Sequence, residues 1–282
     1  MKTQRIDSHQ HFWRYTPAEY GWIDDAMAVL RRDFLPADLR PELEAAGLTG
    51  CIAVQTRQTL AETRFLLELA HHHKEIRGVV GWVDLLAADV EAQLREFTRN
   101  KHFVGVRHIA QAESDPRFLV CEPFLHGIAA LSTTDLVYDV LVYPHQLPAA
   151  VELAQRFPGQ RFVLDHLGKP DLRRADLGEW ARQVKALAGS ANVACKLSGL
   201  VTEADWHQWS PATLRPSFDV VLAAFGPGRL LFGSDWPVCL CASDYRRWFD
   251  TVQGWLADLA EAERAAVLGG NAVRTYHLPK PR

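Results

Sequence analysis

A short, β-rich apolar segment followed by an amphipathic helical stretch recurs along the whole chain. That alternation restricts the available folds more than any other feature. Candidate strands fall at residues 5–8, 50–55, 78–84, 103–108, 137–142, 161–165, 192–197 and 229–234. Helical periodicity fills 60–72, 89–99, 122–132, 145–156, 177–187 and 211–225, with Pro or Gly where turns are needed. Strand and helix in strict alternation is the pattern of a parallel sheet with crossover helices. Eight such units in 282 residues, with no linker-like stretch between them, predict one domain over 1–282, a distorted (β/α)8 barrel of the TIM type. An open doubly wound sheet is the runner-up, but no G-x-G-x-x-G turn follows the first strand to hold a dinucleotide. The distortion is a long connection, 12–34, containing Trp13, Tyr15, Tyr20 and Trp22. Such a loop on the functional face of a barrel is a candidate lid.

Bulk properties narrow the function. Apolar residues make up 48% and charged residues 23%, ordinary values for a globular chain. A net charge of −3 offers no basic field for nucleic acid or a membrane surface. No apolar run approaches the roughly 20 residues of a spanning helix, and the polar start Met1-Lys2-Thr3-Gln4 leaves no room for a secretory signal. Five cysteines, at 51, 121, 195, 239 and 241, lack paired spacing and read as reduced thiols. Cys239-Leu240-Cys241 has no second pair to complete a metal site. A cytoplasmic protein acting on a small molecule is expected. The run His71-His72-His73 cannot share an ion, because successive helical side chains point about 100° apart. Trp180, Trp248 and Trp255 sit in helical patterns and are expected to pack. No Met-rich or heptad stripe marks an assembly face, which leaves a homo-oligomer open.

In a barrel, functional side chains come from the C-terminal strand ends. These ends are rich in reactive chemistry: His9 and His11, Gln55 and Arg57, Trp82 and Asp84, Arg107-His108, Tyr143-Pro144-His145, Asp165-His166, Lys196-Leu197-Ser198, and Ser234-Asp235-Trp236. Side chains two apart on a strand share a face, so His9 and His11 are expected to project together. Barrel closure brings the eighth strand beside the first, which predicts Asp235 next to the histidine pair. A carboxylate among His9, His11 and His166 either shares a divalent metal or holds and deprotonates a water, and both readings stay open. For Arg107 the structural alternative is an ion pair with Asp84 or Glu113. Trp13, Trp22, Trp82, Trp206, Trp209 and Trp236 supply aromatic faces suited to a sugar ring.

His9-Gln10-His11, Asp165-His166-Leu167-Gly168-Lys169-Pro170, Lys196-Leu197-Ser198-Gly199 and Phe232-Gly233-Ser234-Asp235-Trp236-Pro237 together resemble the amidohydrolase superfamily. They are most similar to its branch of sugar-acid and pyrone-dicarboxylate lactonases, of the L-fuconolactonase and rhamnonolactonase type. The resemblance covers Ile6 to about Tyr276. It implies hydrolysis of a lactone such as L-fucono-1,5-lactone, with Asp235 as general base and His9, His11 and His166 orienting the water or binding one ion. Arg107 would polarise the carbonyl oxygen. Lys196, Trp82, Trp13, Trp236, His108, Tyr143 and Gln55 would contact the substrate.

Binuclear members of the superfamily carry a bridging carbamylated lysine at the end of strand four, where this chain has Arg107-His108. One ion at His9, His11, His166 and Asp235, zinc or manganese, is therefore the metal reading. The branch also holds metal-independent enzymes, so that reading is an alternative to none. No organic cofactor is expected. A pyrone-dicarboxylate lactonase or a metal-dependent decarboxylase on the same scaffold stays in competition, since Arg57, Arg107, Lys169 and Lys196 offer positive charge at the mouth. A non-catalytic sugar-acid-binding barrel is disfavoured by Asp235, which a pure binder does not need.

Overall fold

The computed structural model describes residues 4–173 and 176–278. Eight strands pair in chain order, each parallel to the next: β1 (Ile6–Gln10), β2 (Gly50–Val54), β3 (Ile76–Gly81), β4 (Phe103–His108), β5 (Val137–Val140), β6 (Phe162–Leu164), β7 (Val193–Leu197) and β8 (Leu230–Phe232). The seam between β8 and β1 is knitted just beyond β8. Asp235 N–H donates to His9 O at 2.8 Å and His11 N–H to Trp236 O at 2.7 Å, while Ser8 Oγ donates to Phe232 O at 2.6 Å. The result is the expected (β/α)8 barrel. The chain ends, including Met1–Thr3 of the polar start, lie outside the described residues.

Crossover helices follow the strands: α1 (Pro36–Ala46), α2 (Leu60–His72), α3 (Val90–Phe97), α4 (Glu122–Leu131), α5 (Leu147–Arg156), α6 (Gly178–Ala188), α7 (Pro211–Phe225) and α8 (Tyr245–Trp255). Their starts are written locally. Thr59, Ser210 and Asp244 accept hydrogen bonds from the free N–H groups of Glu62, Thr213 and Arg247, and Pro211 needs no partner for its nitrogen. Leu66, Leu67 and Ala70 of α2 face the sheet, whereas His71 and His72 are exposed, as expected of a solvated helix end. Trp180, Trp248 and Trp255 are buried in the same helix–sheet layer. Among the described residues no helix is long and apolar enough to cross a membrane.

A second apolar cluster fills the barrel itself: Ile6, Ile52, Val54, Val80, Val104, Val137, Val163, Ala194 and Leu231. Ala272, Tyr276 and Leu278 join it from the C-terminal segment, which carries α9 (Glu261–Ala265) and α10 (Asn271–Thr275). Asn271 Nδ2 anchors this segment on Leu230 O at 2.6 Å and Pro227 O at 2.8 Å. Sequence periodicity does not foretell the plug, because its helices are too short to show a period.

Two local features set up the site. Between Asp7 and Gln10, β1 advances three residues while β2 advances two, from Cys51 to Ala53. This bulge shifts the in–out alternation, so that both Ile6 and His9 face the barrel interior. The expected strand 5–8 is therefore displaced, and His9 lies within the strand rather than past it. The long connection 12–34 is not an open flap: Trp13 and Phe34 exchange backbone hydrogen bonds at 3.0 Å each, and Arg57 ion-pairs with Glu19. Trp13, Tyr20 and Phe34 are buried beneath it.

Candidate active site

At the mouth of the barrel three imidazoles converge on one carboxylate oxygen. Asp235 Oδ1 lies 3.3 Å from His11 Nε2, 3.7 Å from His9 Nε2 and 4.0 Å from His166 Nε2. His9, His11, His166 and Asp235 are each at most 5% exposed. The sequence-predicted cluster is thus assembled: β1 and its bulge deliver the pair, and the seam delivers Asp235.

His166 and Asp235 are held by unusual backbone. His166, Leu167, Gly168 and Lys169 all have positive φ, as does Asp235 at 58°. For non-glycine residues this conformation is uphill by about 1–2 kcal/mol each, so surrounding contacts must impose it. Trp180 Nε1 donates to Leu167 O at 2.9 Å, and Leu167 itself is buried. Gly199, at φ +64°, lets the chain pass so close to His166 that a Cβ there would fall 2.3 Å from its Nδ1.

The outer nitrogens define how the inner ones are presented. His11 Nδ1 is 2.8 Å from Val54 O. A carbonyl only accepts, so this nitrogen carries the proton, and in the neutral ring Nε2 is a bare acceptor facing Asp235. Two acceptors 3.3 Å apart need a cation between them, either a proton or a metal ion. Two ligand atoms bound tetrahedrally to one zinc, each about 2.1 Å from it, stand roughly 3.4 Å apart. The donor set of His9, His11, His166 and Asp235 therefore fits a divalent ion. Within it the ligand atoms of His9, His11 and Asp235 lie within 4.8 Å of one another; a second such group, His9, His166 and Asp165, draws in a carboxylate from outside the set. His166 Nδ1 is engaged by Ser198 Oγ at 2.9 Å.

Burial lowers His166 to about 4 and pushes His9 well below its ordinary value, so both rings are neutral at pH 7. Burial works to raise Asp235, but the surrounding histidines, His166 first, outweigh it and hold the carboxyl well below the usual range. Asp165 behaves likewise: burial opposes ionisation, and Lys196, His9 and Arg107 overcome it.

Other expected contacts fall differently. Arg107 pairs with neither Asp84 nor Glu113. Its Nη1 meets Asp165 Oδ2 at 3.0 Å and stands 3.4 Å from His9 Nε2, and Nη2 donates to Gln55 O. Lys196 is 0% exposed and ion-paired to Asp139 and Asp165, so it lies beneath His9 rather than in reach of a substrate. Trp13 and Trp236 are buried as well. Both pack edge-on against Phe34 inside the wall of the mouth, leaving no open ring face. Gln55 is buried, its Nε2 donating to Arg107 O at 2.9 Å. His108 is stacked on Phe118 and bonded to Glu113 at 2.7 Å. Half-buried Trp82, with an unpartnered Nε1, and Tyr143, 38% exposed, retain surface for a ligand.

Sequence reasoning assigned no role to Asp165, Asp139, Ser198 or Tyr276. For Asp139, Asp165 and Lys196 a signal existed. Each stands two residues beyond an interior apolar position, Val137, Val163 or Ala194, which by strand alternation faces inward too.

The chain is similar to known proteins along its whole length. The chain is 46% identical to L-fucono-1,5-lactonase of Burkholderia multivorans over 100% of this chain and 98% of that protein. It is 38% identical to the L-fucono-1,5-lactonase of Burkholderia ambifaria, over 99% and 97%. A crystal structure of an amidohydrolase from Burkholderia multivorans with bound zinc superposes with a TM-score of 0.95 at 46% identity, covering 98% of this chain and 100% of that one. The amidohydrolase family profile matches residues 6–278, a span that contains every strand of the barrel and the whole histidine–carboxylate cluster. The chain belongs to the amidohydrolase family.

Proposed function

We propose that the protein hydrolyses the lactone ring of a sugar acid, L-fucono-1,5-lactone or a similar aldonolactone, acting as one domain. The observation that carries this reading is the convergence of three imidazole nitrogens on Asp235 Oδ1. Identity of 46% over the full chain to an L-fucono-1,5-lactonase supports the substrate class.

Ester cleavage needs an activated water and a stabilised oxyanion. Asp235 is ionised and takes the proton of the attacking water as its oxygen bonds the carbonyl carbon. The ring C–O bond then breaks, and Asp235 returns the proton to the leaving alkoxide. His9, His11 and His166 hold the water in line through their inward nitrogens. Those three residues and Asp235 would hold one divalent ion, zinc by the nitrogen-rich donor set, which when bound polarises the carbonyl and lowers the pKa of water. Arg107, beside His9, adds positive potential where the carbonyl oxygen gains charge. Trp82 and Tyr143 face the sugar ring.

A pyrone dicarboxylate fits less well. Its two fixed charges call for free cations, yet Arg57, Arg107, Lys169 and Lys196 are each paired with protein carboxylates. Five unpaired cysteines suit a reducing compartment, and we assign the protein to the cytoplasm. Proton release on a panel of sugar lactones, beside pyrone dicarboxylate and an aromatic carboxylic acid, tests the reading. Turnover of an aldonolactone supports it. Activity confined to the dicarboxylate, or carbon dioxide release from the aromatic acid, would reverse it.

A further inference from the structure

Beneath His9 the barrel interior changes from apolar to charged. Asp139, Asp165, Lys196 and Arg107 are at most 3% exposed and balance one another in charge. Buried ion pairs rarely stabilise a fold more than apolar residues of the same volume, so this group calls for a role beyond packing. Its contacts form a line along the barrel. Tyr276 Oη, from the C-terminal plug, donates to Asp139 Oδ1 at 2.7 Å. Asp139 Oδ2 accepts from Lys196 Nζ, which also lies 3.0 Å from Asp165 Oδ1 and 3.2 Å from His9 Nδ1. Asp165 Oδ1 is 3.3 Å from the same His9 nitrogen, at ion-pair distance but outside hydrogen-bond alignment, while Arg107 Nη1, a donor only, stands 3.4 Å from His9 Nε2 and requires that nitrogen bare.

His9 Nδ1 thus faces two partners with opposite demands. An ammonium can only donate and a carboxylate can only accept. If Lys196 donates to Nδ1, the ring proton sits on Nε2, which then points at Arg107 and Asp235 and cannot act as a ligand. If Nδ1–H donates to Asp165, Nε2 is bare and available. We propose that Tyr276 is a positioning residue of the active site: by fixing Asp139 it holds the Lys196 ammonium, so that Asp165 takes the His9 Nδ1–H and Nε2 is presented unprotonated. The inference rests on the reading of His9 as a ligand to water or metal. It ties the C-terminal segment around Tyr276 to the chemistry at the opposite end of the barrel.

The test compares wild type with Tyr276→Phe, which keeps the ring that fills the barrel and removes only the hydroxyl. Leu278→Ala, which loosens the same segment without touching the polar line, is the comparator. Long-range 1H–15N spectra of metal-free, histidine-labelled protein report the His9 tautomer, and competition with a chromophoric chelator reports zinc affinity per folded molecule. Wild type is expected to carry the proton on Nδ1. Tyr276→Phe is expected to show a growing Nε2–H population and zinc affinity weaker by about 10-fold, the low end for partners behind metal ligands. Leu278→Ala is expected to melt earlier with both readouts unchanged. An Nε2–H tautomer in the wild type overturns the proposal without any variant. So does a Tyr276→Phe protein matching wild type in both readouts. A wild type that binds no zinc sinks the metal reading alone, and the tautomer comparison still decides this one.

Discussion

His11 Nε2 faces Asp235 Oδ1 at 3.3 Å while the Val54 carbonyl accepts the hydrogen bond of the far ring nitrogen, so in the neutral ring the two facing atoms are both acceptors. The arrangement is unfavourable unless something positive lies between. Zinc added to metal-free protein should therefore raise the melting temperature in proportion to the logarithm of its concentration, as for any ligand of the native state alone. Calorimetric scans at increasing zinc check this. A melting temperature indifferent to zinc would mean that a proton fills the role.

Ser198→Ala removes the partner of His166 Nδ1, 2.9 Å away, and frees the ring to turn. The expected loss is about 10-fold or more in zinc affinity, against about 1 kcal/mol in stability. Isothermal titration and urea unfolding separate the two. A stability loss with unchanged affinity would assign Ser198 to the fold alone.

Gly199→Ala meets two obstacles, a left-handed backbone and a Cβ 2.3 Å from His166 Nδ1. Either the turn or the ring must move. A destabilisation of at least about 2 kcal/mol, with the affinity loss of Ser198→Ala exceeded, is expected in the same two assays.

Asp7 clamps the seam from outside the barrel. Its Oδ1 accepts from Ser234 N–H at 2.9 Å and His9 N–H at 3.1 Å, and Tyr245 Oη donates to Oδ2 at 2.9 Å. Burial nevertheless raises the Asp7 carboxyl from 3.8 to about 6. Between those values the native state keeps a proton that the unfolded chain has lost, so this group's contribution to stability falls as pH rises from 4 to 6. Asp7→Asn has no such dependence. Its stability relative to wild type should improve across that window by about 2 kcal/mol, most of the full effect at roughly 1.4 kcal/mol per pKa unit. Urea unfolding at four pH values measures the difference, and a constant offset would mean that Asp7 does not titrate in this window.

The cluster of His9, His11, His166 and Asp235 was legible because it depends on two rules that hold within any barrel, strand alternation and closure of the last strand on the first. The bulge in β1 was not, since a register shift leaves no mark in composition. Trp13 and Trp236 stand at strand ends, where an aromatic ring serves as packing or platform alike. Only the docking of 12–34 onto β1 decides between them. The burial of Lys196 was not legible, because a lysine at a strand end looks free until its partner is known, and that partner, Asp139, is bonded by Tyr276, 80 residues beyond Lys196.

In the proposed reaction Asp235 moves the proton. Asp235→Asn keeps the side-chain shape and removes the basic oxygen. Steady-state kinetics on L-fucono-1,5-lactone, with zinc supplied and site occupancy measured in both proteins, is the most direct test. A fall in kcat of about 100-fold or more is expected, the usual scale for losing a positioned base. Turnover by the metal-loaded variant within a few-fold of wild type would contradict it.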